Sequence, residues 1–174
     1  MSNLLGLEEE KNVGPESDLN RDELEAKVRS GANWFYWIAG LSAINSVIYL
    51  FGSPVSFLAG LGFTQLADAL VDAAIDNGLP SAVKAVAVIF NFMLVAAFAL
   101  FGYYANKRFS AAFVVGIVLY VLDAVLLLML GIWFSAGFHA FALFFIIRGF
   151  LACRTINAQQ PAMTFQSPPP PTAI

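Results

Sequence analysis

Between Trp34 and Cys153 the chain carries eight charged side chains: Asp68, Asp72, Asp76, Lys84, Lys107, Arg108, Asp123 and Arg148. Everything between them is long apolar sequence. A soluble domain has roughly a quarter of its residues charged; here 12% are charged and 59% hydrophobic. Apolar runs interrupted by rare charges predict membrane-spanning helices.

The same inventory excludes several classes. A formal charge of -3 does not point to a nucleic-acid partner. The single cysteine, Cys153, cannot form an internal disulfide, a redox pair or a cysteine zinc site. It falls at the end of an apolar stretch, where it is either a small apolar filler or a palmitoylation site. The acidic first thirty residues lack an apolar core, and no cleavable signal peptide is expected.

Along the chain, residues 1–16 read as a disordered acidic tail. Residues 17–30 read as a short cytoplasmic juxtamembrane helix, capped by Ser17 or Asn20 and stabilised by the Glu23/Lys27 and Glu25/Arg29 spacings. Four spans are predicted within a 31–153 transmembrane domain, at about 32–51, 82–104, 109–131 and 132–153. Spans three and four are separated only by a turn near Gly131, which makes them an antiparallel hairpin. Residues 154–174 read as a disordered proline-rich tail, solvated or bound by a groove-type partner.

A fifth apolar stretch, about 63–77, is amphipathic. Phe63, Leu66, Leu70, Val71 and Ile75 fall on one stripe, and Gln65, Asp68, Asp72 and Asp76 on the other. Aspartates facing lipid would cost about 2.5–3.5 kcal/mol each. The stretch is therefore expected to lie on the membrane or fold back over the bundle. Lys and Arg then sort cleanly: Arg21, Lys27, Arg29, Lys107, Arg108, Arg148 and Arg154 fall on one side of four spans, leaving Lys84 and the aspartates on the other. This bias predicts cytoplasmic termini. The expected fold is all-α: a four-transmembrane-helix antiparallel bundle with one interfacial amphipathic helix.

Folding the spans antiparallel brings Asn45, Asn91, Asp123 and His139 into one layer, roughly 10–14 Å below the outer surface. Ser42, Asn45 and Ser46 share a stripe of span one, Tyr120 and Asp123 a face of span three, and Ser135 and His139 a face of span four. The expectation is that Asp123 and His139 meet inside the bundle. Such a cluster either handles a proton, an ion or a small polar ligand, or joins helices as packing glue worth about 0.6 kcal/mol per contact.

No metal, cofactor or catalytic site is expected. One histidine with amides makes a poor transition-metal site, and the Asp68, Asp72 and Asp76 series reads as a solvated face before it reads as a weak calcium site. No nucleophile motif or phosphate-binding glycine loop is present.

The segments "GANWFYWIAGLSAINS", "GLGFTQLAD", "LYVLDA" and "FHAFALFFIIRG", spread over residues 31–150, resemble a group of small bacterial integral membrane proteins of unknown function. The resemblance implies a multi-pass protein of the bacterial inner membrane and no particular activity. Vitamin K epoxide reductase-like proteins also use four helices, but their paired cysteines are absent here. The function expected is a non-enzymatic accessory or interaction subunit. The alternative is a small proton- or ion-coupled carrier working through Asp123 and His139. The expected partners are the lipid bilayer and either further copies of the chain or a larger membrane complex.

Overall fold

The computed structural model describes residues 15–51 and 60–159, with Pro15–Asp18 described by their backbone alone. The described residues form five α-helices and no strand: α1 (Pro15–Leu50), α2 (Gly62–Asp76), α3 (Lys84–Asn106, preceded by a 3-10 turn at Ser81–Val83), α4 (Ser110–Met129) and α5 (Trp133–Gln159). Three segments are long and apolar enough to cross a membrane: Ser81–Asn106, Ser110–Met129 and Trp133–Gln159. This places the chain among multi-pass helical membrane proteins. α1 has the length, but Asn33, Ser42, Asn45 and Ser46 dilute its apolar half, and it is not among the three.

α1 packs between α3 and α5, while α4 closes the far side against the same two helices. The half of the core nearest the α1–α5 crossing is apolar. Phe35 from α1 meets Phe98 and Phe101 of α3 and Phe113 of α4 with ring centroids 6.0–6.2 Å apart. The Phe35 ring lies on Gly116, where a Cβ would come within 2.5 Å of it. α1 and α5 cross at Gly31 and Gly149; a Cβ on Gly31 would stand 2.7 Å from the Gly149 Cα. Only glycine permits helix axes to approach this closely. Outward-facing Val86, Ile89, Met93, Val118, Leu122, Phe141, Phe144 and Leu151 are all exposed, giving the apolar circumference that lipid requires.

The turns are made alike. After α2, α3 and α4 the chain enters the left-handed region at Gly78 (φ 98), Arg108 (φ 63) and Gly131 (φ 75). In each case the next amide bonds back to the helix: Leu79 to Ala74, Phe109 to Tyr104 and Ile132 to Leu127, at 2.9–3.1 Å. These are Schellman caps, which satisfy terminal carbonyls. Arg108 has no glycine's freedom, and neighbouring groups hold it. Its carbonyl accepts from Cys153 Sγ (3.3 Å) and Asn157 Nδ2 (3.1 Å), and its guanidinium donates to Glu25 at 2.9 Å.

Several boundaries depart from the sequence reading. The residues read as a juxtamembrane helix and a first span form one continuous α1, with Gly31 inside it as a contact residue. Its 36 residues span roughly 54 Å, far more than about 30 Å of hydrocarbon. The 17–30 portion carries most of the charges of α1, and there Glu25 turns to Arg21 and Arg108. α5 continues past Cys153 to Gln159, with Asn157 packed on the α3–α4 turn. The tails at 1–14 and 160–174, including the proline run, lie outside the described residues.

Of the two placements expected for α2, the structure takes the second: the helix folds back against α3, α4 and α1. Its N-terminal end is buried at Leu61, Gly62 and Thr64, while Asp76 through Pro80 are exposed. Leu61 N bonds Ser42 Oγ (3.0 Å), and Asp72 accepts from Tyr49 OH (2.9 Å), so α2 advances alongside α1 in the same direction. At 15 residues it is too short to cross. It is a half-helix inserted between the long ones. Asp68 and Asp72 meet polar partners on neighbouring helices, while Asp76 is exposed.

Candidate functional site

The site begins with a capping problem. Leu61, at the N-cap of α2, has no side-chain acceptor for the first helical amides, and unpaired amides in an apolar interior are costly. Asp123, on the middle of α4, supplies the missing acceptors. Gly62 N donates to Asp123 Oδ2 (2.8 Å) and Phe63 N to Oδ1 (2.7 Å). The carboxylate also sits at the positive end of the α2 dipole. Gly62 admits this approach, since a Cβ there would reach Leu127 at 2.7 Å and Asp123 Oδ1 at 3.3 Å.

His139 completes the cluster from α5. Its Nε2 lies 2.8 Å from Asp123 Oδ2, and its Nδ1 lies 2.8 Å from the Ser135 carbonyl oxygen. Both side chains are 0% exposed. The hydrogen count follows from these contacts. A carbonyl only accepts, so Nδ1 carries a proton and donates to Ser135. One further proton must then lie between Nε2 and Oδ2. The pair is either imidazolium–carboxylate or imidazole–carboxylic acid, and both forms are neutral as a unit. Two amide donors and the positive end of the α2 dipole converge on the Asp123 carboxyl group. The Tyr120 ring stacks on the His139 ring at 4.2 Å and 21°.

The rest of the layer also turns on α2. Asn91 Nδ2 donates to Asp68 Oδ1 (2.8 Å). Tyr49 OH donates to Asp72 Oδ1 (2.9 Å), and Lys84 Nζ stands 3.4 Å from the same oxygen. Burial raises the Asp68 carboxyl above the usual range, and the Asn91 hydrogen bond offsets part of that. Ser46 Oγ donates to the Ser42 carbonyl (3.1 Å). Asn45 is buried against Gly60, where a Cβ would overlap its amide. Two buried atoms, Asn91 Oδ1 and Tyr120 OH, have no hydrogen-bond partner among the described residues.

The structure thus brings Asp123, His139 and Tyr120 into direct contact, and joins Asn91 and Ser42 to the same half-helix. Asn45 and Ser46 line the adjoining stripe of α1. Arg148 stays apart, its guanidinium 5.6 Å from the Phe144 ring centroid. Cys153 is buried and bonded to the α3–α4 turn, which leaves its thiol closed to acylation. Sequence reasoning missed the amides of Gly62 and Phe63, the role of Asp123 as their cap, and the partners of Asp68 and Asp72 on neighbouring helices. One signal was available: a helix starting at "GLGF" has no local cap, so its acceptor must come from elsewhere. No group of three or more His, Cys, Asp or Glu side chains converges among the described residues. No protein-family model, curated protein or solved structure matches this chain.

Proposed function

We propose that the chain is a four-span protein of the bacterial inner membrane with both termini cytoplasmic, acting as a non-enzymatic accessory or interaction subunit. In this reading α1 crosses as the first span, and the four long helices form an antiparallel bundle. The Lys and Arg bias supports the orientation, and the sequence resemblance supports the membrane. One observation carries the function: the layer's main polar groups are engaged in fastening α2. Asp123 holds two α2 amides and His139, Asn91 holds Asp68, and Tyr49 and Lys84 hold Asp72. A layer committed in this way builds a rigid scaffold, as expected of a subunit whose work is contact with a neighbour.

The second reading, a proton-coupled carrier, is favoured by the proton shared between His139 and Asp123 and by the nearby Tyr120 hydroxyl, which has no hydrogen-bond partner among the described residues. Native mass measurement of the full chain, purified from its own membranes, tests the first reading. The expected result is this chain in fixed ratio with a different polypeptide. A homo-oligomer that acidifies liposomes under a membrane potential, and stops doing so on Asp123→Asn, would replace it with the carrier.

A further inference from the structure

The α1–α5 crossing at Gly31 and Gly149 marks a level in the molecule. Gly31 stands at the start of the apolar half of α1, so the crossing lies at the inner rim of the hydrocarbon. Beside it opens a cleft of about 350 Å³ lined by Glu23, Ala26, Lys27, Ser30, Phe145 and Arg148. Lys27 lies 3.7 Å from Glu23. Arg148 is exposed and forms no ion pair among the described residues; its contact is with the Phe144 ring. Two cations, Lys27 and Arg148, against one carboxylate, Glu23, leave the cleft at +1. An unpaired guanidinium at the edge of hydrocarbon draws an anion to it.

From these features we infer that the cleft seats the phosphodiester group of an anionic glycerophospholipid in the inner leaflet. A phosphodiester carries one negative charge, which brings the cleft to neutrality; inorganic phosphate would overshoot it. Guanidinium binds phosphate oxygens through paired N–H donors, and Ser30 adds a hydroxyl. Deeper along α5, exposed Phe141, Phe144 and Ile147 continue from the cleft as the apolar surface that acyl chains need. Juxtamembrane cations gain about 1 kcal/mol each from anionic lipid. The inference rests on the four-span reading, which alone places this crossing at a headgroup boundary.

The test uses the full chain in mild detergent with phosphatidylglycerol or phosphatidylcholine added, and counts lipid adducts by native mass spectrometry. Wild type should retain phosphatidylglycerol over phosphatidylcholine. Arg148→Gln should lower the retained anionic lipid about five-fold. Arg148→Lys and Lys27→Gln should lower it less, and Lys107→Gln, at the same end but outside the cleft, should not lower it. Equal retention of both lipids by wild type, or unchanged retention by Arg148→Gln, would overturn the site and leave Arg148 as a snorkelling side chain only. Displacement of the lipid by millimolar inorganic phosphate would reassign the chemistry to a soluble anion and overturn the lipid. Should Arg148→Gln fail to fold, Lys27→Gln and Arg148→Lys decide by the same count. Cysteine labelling in sealed vesicles reads the topology separately. Lost lipid selectivity with intact topology counts against the cleft, whereas a failed topology with selectivity kept counts against the four-span reading.

Discussion

The half of this molecule around the Gly31–Gly149 crossing and the half around Asp123, labelled inner and outer after the proposed orientation, are held together by different physics. In the inner half, Val28, Ala32, Phe35, Phe98, Phe113, Ile146 and Ile156 are buried with no polar group among them, and glycines bring the backbones together. In the outer half, Ser42, Asn91, Asp123, Ser135 and His139 are buried just as fully. Lipid offers no hydrophobic drive for one apolar helix to leave it for another. The inner half therefore depends on shape, and small residues set how close the helices come. The outer half depends on donors and acceptors, because it must accommodate a half-helix whose end would otherwise leave amides unpaired. One half tolerates no added atom at its crossing, and the other tolerates no lost acceptor.

The largest effect is expected at the inner crossing. A Cβ on Gly149 would sit 2.8 Å from the Gly31 Cα and 3.2 Å from the Lys27 carbonyl, and neither backbone can rotate aside. Gly149→Val should cost about 3 kcal/mol or more and lower the yield of folded protein. Gly137 lies on the same helix with nothing within 4 Å of its Cβ position. Gly137→Ala should be neutral or slightly stabilising through helix propensity. Thermal unfolding in detergent compares the two. Equal losses at both positions would remove the distinction between a shape-held crossing and any other part of α5.

Next comes the acceptor of the outer half. Asp123→Ala leaves the amides of Gly62 and Phe63 and the His139 ring without their oxygen atoms, a loss of about 2–3 kcal/mol. Asp123→Asn keeps one acceptor but turns an NH₂ toward donors, and should fall between wild type and Asp123→Ala. The loss should be local. A cysteine at Phe63, half-buried in wild type, should become reactive in Asp123→Ala while one at Ala105 stays protected. Simultaneous opening of both would mean that the halves are not separable.

The contrast between the halves also shows what a sequence can disclose. Apolar length located α3, α4 and α5, and counting residues from the turns put Asp123 and His139 at one depth, because helix rise is nearly constant. The rest depends on partners far along the chain. Amphipathicity showed that the Asp68–Asp72 stripe differs from the Leu66–Leu70 stripe, but not which would face the interior. That choice was made by Asn91, Tyr49 and Lys84 on other helices. The cap on Phe63 comes from 60 residues downstream, beyond any local spacing rule. The sequence reading ends one helix at residue 30 and begins the next at about 32; the contact of Gly31 with Gly149 accounts for a glycine inside one continuous α1.

The smallest effect is expected where the halves meet, at Tyr120. Its ring belongs to both: it packs edge-on against Phe98 at 6.0 Å and stacks on His139 at 4.2 Å. Its hydroxyl belongs to neither, being buried with no hydrogen-bond partner among the described residues. A buried unpaired hydroxyl is a burden on the folded state, and its removal leaves both ring contacts in place. Tyr120→Phe should therefore leave stability unchanged or raise it by up to about 1 kcal/mol. Tyr120→Leu, which also loses the stack, should cost about 1 kcal/mol. A marked loss for Tyr120→Phe would mean that the hydroxyl has a partner in the membrane, and that the polar half extends one turn deeper than Asp123. The same variant separates the two functional readings. A scaffold whose polar layer only fastens α2 is indifferent to this oxygen atom. A carrier that passes the His139–Asp123 proton inward needs a group on that side to receive it, and Tyr120→Phe should then slow proton movement in liposomes while the melting temperature holds.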